Sequence, residues 1–174
     1  MRSVLKLRVR EQLTQMPQTS LLSKAIAIAA VAHEHQLDKV GAPYILHPLR
    51  MMAKAQTDDE RIVAILHDVV EDTEWTPGLL SEQGFPDHLL EALAGVTNRE
   101  GESYSEFIER AAQNPISAKV KLLDLEENMT LTRLPQLTDK DLRRLKKYHD
   151  AYARLKELIA EPSLLDSTIT ETTS

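Results

Sequence analysis

The sequence predicts an all-α fold, a compact bundle of helices. Only 4% of the 174 residues are aromatic and only five are glycine. The apolar residues are mostly Leu, Ile and Ala, which favour helices over strands. Residues typical of helix ends separate the apolar runs along the whole chain. The length suits a single domain with its own core.

Four helices are predicted in the first half of the chain. We place them at residues 3–15, 21–36, 48–55 and 60–71. Ser20 or Ser23 is expected to cap the second helix, and Asp58 or Asp59 the fourth. The segment 37–43 contains Gly and Pro and is predicted to be a loop. The fourth helix is rich in Ile, Val and Leu, so we expect it to be central in the bundle.

Five further helices are predicted in the second half. We place them at residues 76–83, 86–94, 103–113, 116–132 and 139–160. Thr76 followed by Pro77 is typical of a helix start, and Gly95 is expected to end the helix before it. Thr138 or Asp139 is expected to cap the last helix.

These elements divide the chain into three parts. We predict a helical N-terminal extension over residues 1–19, one domain over 20–160, and a flexible tail over 161–174. The tail is predicted to be flexible because it contains Pro162 and many Ser and Thr residues. No internal repeat and no interdomain linker are evident in the sequence.

Composition limits the function classes. There is no cysteine, so disulfides and thiolate metal sites are excluded, and a metal must be held by His, Asp or Glu. The net charge of −6 argues against a DNA or RNA partner, whereas a small anionic substrate fits if the local site is cationic. No uncharged apolar run is long enough to span a membrane, and we expect a cytoplasmic protein. A homo-oligomer is compatible with the sequence.

One short motif carries four ionisable groups at the end of an otherwise apolar segment. In His67-Asp68-Val69-Val70-Glu71-Asp72, His67 and Glu71 are four residues apart, as are Asp68 and Asp72. Each pair would share a helical face, and burial of such groups is costly unless they are paired or bind a metal. In the alternative interpretation, the helix ends at Val70 and the last two acids face water.

Two other segments contribute residues of the same kind. His47 precedes Pro48, which restricts its backbone, and Asp124 lies within an apolar helix with Asn128 one turn later. Taken alone, His47 could be a capped loop residue and Asp124 a buried ion-pair or surface residue. Together with His67 and Asp68 they form a set of imidazoles and carboxylates that suits a divalent metal with open water positions.

The order of these motifs resembles the hydrolase domain of the RelA/SpoT homologues, and by size the stand-alone small alarmone hydrolases of the HD superfamily. The resemblance covers residues 20–158 and rests on five motifs. They are Ala32-His33, Gly41-Ala42-Pro43-Tyr44-Ile45-Leu46-His47-Pro48, Ile65-Leu66-His67-Asp68-Val69-Val70-Glu71-Asp72-Thr73, Gly95-Val96-Thr97 and Lys121-Leu122-Leu123-Asp124-Leu125-Glu126-Glu127-Asn128-Met129. The resemblance implies a compact HD-domain helical bundle.

The resemblance also implies an activity and a set of site residues. The family removes the 3′-pyrophosphate from guanosine tetra- and pentaphosphate, (p)ppGpp, and uses Mn²⁺. The implied metal ligands are His47, His67, Asp68 and Asp124, and the implied catalytic pair is Glu71 and Asp72. The implied substrate-binding residues are Lys39, Asn128 and Tyr148. In this scheme the acidic pair orients a water molecule and takes its proton.

The chain departs from the family at five positions. Asp38 stands where the family has a basic residue, and Leu125, Glu126, Leu131 and Asn98 also differ. The adenosine equivalent, (p)ppApp, is therefore kept beside (p)ppGpp as a substrate. Two other hypotheses stay open: an HD phosphohydrolase for another nucleotide or phosphoester, and a nucleotide-sensing or partner-binding protein that has lost turnover.

One cluster of basic residues receives no role in the sequence-based interpretation. Two adjacent pairs, Arg143-Arg144 and Lys146-Lys147, lie in the predicted last helix. We predict that both pairs belong to a solvated helix face.

Overall fold

The computed structural model describes residues 20–160, and in this part of the chain every regular element is helical. The α-helices are α1 Leu21–Ala32, α2 Leu46–Lys54, α3 Asp58–Leu66, α4 Val69–Asp72, α5 Pro77–Glu82, α6 Asp87–Val96, α7 Tyr104–Ala112, α8 Pro115–Asn128 and α9 Asp139–Ala160. A short 3-10 helix covers Leu131–Arg133. The all-α prediction is confirmed. The predicted helix over 3–15 and the tail over 161–174 lie outside the described residues.

Helix α3 is the centre of the bundle, as predicted. It packs against α1, α2, α6 and α8. Its last five residues are at most 3% exposed: Ile62, Val63, Ala64, Ile65 and Leu66. Full burial of an Ile, Val or Leu side chain stabilises a fold by about 1.5–3 kcal/mol, so the C-terminal half of α3 is held firmly. The backbone of His67 and Asp68, which follow Leu66, is therefore firmly positioned.

The N-cap of α3 is Thr57, so the predicted caps Asp58 and Asp59 were wrong. Thr57 Oγ1 accepts a hydrogen bond from the Glu60 backbone N–H at 3.2 Å, and the Glu60 carboxylate reaches back to the Thr57 N–H. A cap needs an extended backbone, which Thr57 has, whereas the two aspartates already lie in the helix. The aspartates instead place negative charge in the first turn, which is favourable.

The predicted helix over 60–71 is interrupted. It ends at Leu66, and α4 begins at Val69, with His67 and Asp68 in a turn between them. The predicted helix over 21–36 is also too long, because α1 ends at Ala32. Beyond it the chain folds back, and the Gln36 carbonyl accepts a hydrogen bond from the Tyr44 N–H at 2.9 Å. Tertiary contacts thus override local helix propensity at both places.

Gly95 lies inside α6 and does not end it, contrary to the prediction. The helix continues to Val96, and Gly95 lies where α6 comes close to α8. A Cβ added at Gly95 would lie 2.1 Å from Ser117 Oγ and 2.8 Å from Ser117 Cβ. The glycine is needed for backbone approach and its φ is not in the left-handed region.

The predicted helix over 116–132 is shorter than expected at its C-terminal end. Helix α8 stops at Asn128, and the 3-10 turn follows after Thr130. None of the helices between residues 20 and 160 is long and apolar enough to cross a membrane.

Candidate active site

Three side chains from distant segments converge on one point. His47 from α2, His67 from the turn after α3 and Asp124 from α8 each offer one ligand atom, and these atoms all lie within 4.8 Å of one another. Asp124 Oδ1 is 3.4 Å from His47 Nε2 and 3.9 Å from His67 Nε2. Within residues 20–160, this is the one group of three or more His, Asp or Glu residues with such spacing.

Asp68 lies beside this group. Its Oδ2 is 2.8 Å from His67 Nε2 and 4.0 Å from His47 Nε2. The Tyr44 hydroxyl donates a short hydrogen bond to the same oxygen. The structure therefore brings together all four residues that the sequence analysis assigned to a metal, and adds Tyr44 as a partner of Asp68.

The orientation of His67 is set by the end of α3. Its Nδ1 lies 2.9 Å from the Ala64 carbonyl oxygen, which can only accept, so Nδ1 carries the proton and Nε2 faces the acids. Metal-binding histidines are commonly oriented in this way. Burial lowers the pKa of His67, but the charge and hydrogen bond of Asp68, with a contribution from Asp124, raise it to about 9.

The two carboxylates are held in their charged form. Burial raises the pKa of Asp68, and the neighbouring His67 together with the Tyr44 hydrogen bond lowers it to about 2. For Asp124, burial likewise raises the pKa, and Lys121, His47 and His67 lower it well below its usual range. Two imidazole nitrogens and ionised carboxylates form a donor set that fits a divalent cation such as Mn, Fe, Co or Zn.

Lys121 was missed by the sequence analysis. Its Nζ donates to Asp124 Oδ2 at 2.7 Å, and its ammonium lies 4.5 Å from the centroid of the Phe107 ring. Asn128 donates to Asp124 Oδ1 and to the Asp124 carbonyl. Both contacts follow the three- and four-residue spacing of one helical face, which is the signal that could have identified Lys121.

These residues line a cavity of about 460 Å³. Of the residues predicted to contact substrate or take part in catalysis, Lys39, Glu71, Asn128 and Tyr148 line it. Glu71 Oε2 accepts a hydrogen bond from the Asn98 N–H at 3.2 Å. Asp72 lies apart from the lining, and its Oδ2 accepts a hydrogen bond from Gln36 Nε2 at 2.9 Å. Gln36 is itself a lining residue that the sequence analysis did not single out.

The basic pairs of α9 are divided between the cavity and solvent. Arg144 and Lys147 line the cavity; Lys147 is exposed, as predicted, whereas Arg144 is half-buried, so the solvated face predicted for both pairs does not hold for Arg144. Lys147 Nζ lies 3.8 Å from the centroid of the Tyr104 ring, and Arg144 donates to the Tyr148 hydroxyl at 3.0 Å. Their neighbours point away: Lys146 pairs with Asp150 at 2.7 Å on the exposed side of α9.

Asp38, which departs from the family pattern, has its carboxylate fully engaged. Oδ1 accepts hydrogen bonds from the Val40 and Ala42 N–H groups at 2.9 Å each. Oδ2 is 3.3 Å from Arg133 Nη1 of the 3-10 helix. Asp38 therefore stabilises the loop over 37–43 through the loop's own N–H groups. It also pairs with a cation from another part of the cavity lining. Arg133 therefore partly compensates the charge of Asp38 in the cavity lining.

No protein family model matches the chain, but several known proteins are similar to it in sequence. Over 127 residues the chain is 35% identical to a probable GTP pyrophosphokinase of Mycobacterium leprae, a match covering 66% of this chain and 16% of that protein. Over 120 residues it is 32% identical to the guanosine-3′,5′-bis(diphosphate) 3′-pyrophosphohydrolase of Aquifex aeolicus, covering 62% and 17%. A GTP pyrophosphokinase of Myxococcus xanthus is 30% identical over 158 residues, covering 80% and 20%. The chain thus spans a fifth or less of the length of these relatives.

A solved structure has the same fold. It is described as a metazoan ortholog of SpoT that hydrolyzes ppGpp. It superposes with a TM-score of 0.65 at 22% sequence identity, over 82% of this chain and 87% of the other. In fold and in sequence, the chain is similar to the HD-domain hydrolases of the RelA/SpoT type.

Proposed function

We propose that the chain is a metal-dependent hydrolase that removes the 3′-pyrophosphate of (p)ppGpp or (p)ppApp. One observation carries this proposal: His47, His67 and Asp124 converge, with Asp68 beside them, in a cavity that also contains Glu71 and cationic side chains. The names of the Aquifex relative and of the solved structure support the same substrate. A small nucleotide substrate and a cytoplasmic location belong to this proposal.

We assign the metal to His47, His67, Asp68 and Asp124, with Mn²⁺ as the proposed ion. A ligand set of nitrogen and oxygen donors without sulfur is compatible with Mn²⁺. Such an ion, when bound, lowers the pKa of a water ligand and polarises a phosphoryl oxygen. The Ala64 carbonyl and Tyr44 hydroxyl hold His67 and Asp68 in orientation, and Lys121 and Asn128 hold Asp124.

Glu71 is the proposed general base. Its carboxylate lines the cavity and is fixed by the Asn98 N–H. A water molecule attacks the phosphorus bonded to the 3′ oxygen and gives its proton to Glu71. The bond between that phosphorus and the 3′ oxygen breaks, pyrophosphate is released, and the 3′ oxygen leaves as a hydroxyl after taking up a proton. Asp72 lies apart from the cavity lining, and its proposed part in the proton transfer is indirect, through its position next to Glu71 in the chain.

The proposed substrate contacts are Lys39, Asn128 and Tyr148, joined by Arg144 and Lys147. Three of these five are cations that line the cavity. Preorganised cations offset the charge that develops on transferring phosphoryl groups. Asn128 already donates to Asp124, so it would link a metal ligand to the bound substrate.

A substrate panel tests the proposal. Purified protein with Mn²⁺ is incubated with ppGpp, ppApp, GTP, dNTPs and an aryl phosphate, and released pyrophosphate and phosphate are followed separately. We expect pyrophosphate from the 3′-diphosphate nucleotides alone. Phosphate from the other compounds would favour a different phosphohydrolase. A protein that binds metal and nucleotide without turnover would contradict the proposal and favour a nucleotide sensor.

A matched pair of variants tests the substrate contacts. Arg144 and Lys147 line the cavity, whereas their neighbours Arg143 and Lys146 do not. The double variant R144A/K147A should raise KM at least about tenfold, because charge-assisted hydrogen bonds to phosphate are worth about 1.5–3 kcal/mol each. The double variant R143A/K146A removes the same charge from the outer face and should leave KM within about twofold. Equal effects of the two double variants would remove these contacts from the proposal.

A further inference from the structure

Asp72 is held by a chain of two hydrogen bonds that leads into the core. Gln36 Nε2 donates to Asp72 Oδ2 at 2.9 Å, and Gln36 Oε1 lies 2.6 Å from His33 Nδ1. The direction of donation along the chain follows from the Asp72 carboxylate at its outer end. A carboxylate can only accept, so the Gln36 amide group must face Asp72 and its oxygen must face His33. His33 Nδ1 therefore carries a proton and donates it.

The inner end of this chain is a buried histidine that packing alone does not explain. His33 is only 2% exposed, and its Nε2 has no hydrogen-bond partner among residues 20–160. A buried polar atom without a partner costs about 1–3 kcal/mol, which an apolar side chain of similar size would avoid. A histidine at this position supplies Nδ1, which bonds to Gln36. An apolar residue could not make this hydrogen bond.

The same segment also holds the neighbouring acid of the motif. The Tyr44 ring centroid lies 5.1 Å from that of His33, and the Tyr44 hydroxyl donates to Asp68. The Tyr44 N–H donates to the Gln36 carbonyl at 2.9 Å, so Gln36 and Tyr44 form two arms of one folded-back segment. His33 touches both arms. Asp68 and Asp72 are thus each fixed by one arm.

We propose that His33 and Gln36 are positioning residues for Asp72. In this role the two residues act through Asp72 and not on the reacting atoms. Gln36 occupies one carboxylate oxygen of Asp72 and restricts rotation of the group, and His33 fixes the amide of Gln36. The kinetic test of this inference rests on the proposed function. The hydrogen-bond chain itself can be tested without any substrate.

The kinetic test uses variants of matched shape. Gln36→Glu keeps the size of the side chain but replaces the donor with a second carboxylate, and should lower kcat about tenfold or more with KM within about threefold. His33→Phe should lower kcat similarly, and His33→Asn, which keeps a donor near the position of Nδ1, should restore most of it. His35, exposed and two residues away, provides the control variant His35→Ala, expected at the wild-type rate.

The variants must also separate positioning from other causes. Because the two residues act in series, Q36E/H33F should lose no more kcat than Q36E alone. Bound Mn²⁺ measured on the same preparations should equal that of the wild type. A change confined to KM, or kcat within twofold of wild type in both Q36E and H33F, would overturn the proposal.

A second measurement keeps the proposal testable if no substrate is found or a variant fails to fold. Nitrogen-15 NMR of the wild-type imidazoles at pH 8 should show His33 protonated at Nδ1 and bare at Nε2. A His33 protonated at Nε2 would overturn the chain. Failure of the whole nucleotide panel with the expected His33 tautomer would refute the proposed function and leave the hydrogen-bond chain supported.

Discussion

Arg50 donates a hydrogen bond from Nε to Oε2 of Glu127 across 2.7 Å, and this contact joins α2 to α8. Lys54 Nζ reaches Oε1 of the same carboxylate at 2.7 Å. His47 lies one turn before Arg50 on α2, and Asp124 lies one turn before Glu127 on α8. The ion pairs therefore fix the separation of the two helices that supply these groups to the proposed metal site.

Removing the charge of Glu127 should destabilise the fold. Glu127 is 4% exposed, whereas the side chains of Arg50 and Lys54 are 35% and 44% exposed, so water partly compensates the two cations. We expect Glu127→Gln to lower the free energy of unfolding by about 1–3 kcal/mol, measured by urea denaturation at pH 7.

The matched control is Asp58→Asn. Asp58 also pairs with an arginine, Arg61, but its side chain is 71% exposed. Its loss should cost no more than about 0.5 kcal/mol. Equal losses of unfolding free energy in the two variants would show that the buried ion pairs of Glu127 stabilise the fold no more than an exposed pair does.

The contribution of Glu127 should disappear in acid. Burial raises the pKa of Glu127, but the hydrogen bonds and charges of Lys54 and Arg50 hold it below the usual value of 4.5. A carboxyl with a lowered pKa stabilises the fold fully above its unfolded pKa, and this stabilisation is lost as pH falls through the folded pKa. The difference in unfolding free energy between wild type and Glu127→Gln should thus be constant above about pH 5.5 and shrink below 4.5. A difference that grew in acid would contradict the assignment.

Gly95→Ala should destabilise the protein although alanine favours helices. The new Cβ would lie 2.1 Å from Ser117 Oγ, and α6 and α8 would have to separate. Overpacking of this kind costs about 1–3 kcal/mol. Gly78→Ala is the control, because its Cβ would meet only Thr76 Oγ1 at 3.8 Å. Thermal unfolding of both variants checks the prediction, and a stabilised Gly95→Ala would refute the close crossing.

Glu71→Gln should separate chemistry from metal binding. The glutamine keeps the side chain's size but cannot take a proton, so kcat should fall about a hundredfold or more while bound Mn²⁺ and KM change little. Asp68→Ala should remove metal binding as well as activity. Steady-state kinetics and metal analysis of the two variants are the measurements, and near wild-type kcat in Glu71→Gln would exclude it as the base.

The sequence predicted the elements of the fold better than their ends. Helix α3 was expected to be central because its run of Ile, Val and Leu is apolar on every side, and it is. The interruption at His67 could not be predicted, because it depends on contacts that His67 and Asp68 make with residues distant in the sequence. Position-by-position propensity carries no information about such contacts.

The chemistry and order of the motifs predicted that the four proposed metal ligands would lie close together. They did not predict which residues hydrogen-bond to these ligands. Lys121 and Tyr44 are ordinary residues in sequence and gain significance only from contacts with Asp124 and Asp68. The place of Arg144 in the cavity lining was missed because the sequence does not show which face of α9 packs toward the other helices. Asp38 was identified only as a departure from the family pattern, because its pairing with Arg133 is visible only in the fold.

The most direct test of the central claim is a Mn²⁺ titration followed by isothermal calorimetry on the wild type and on the His67→Gln and Asp124→Asn variants, with Asp58→Asn as the surface control. We expect one Mn²⁺ site in the wild type and in the control, and loss of this site in both cavity variants. A wild type that binds no divalent cation, or cavity variants that bind Mn²⁺ as tightly as the control, would contradict the claim.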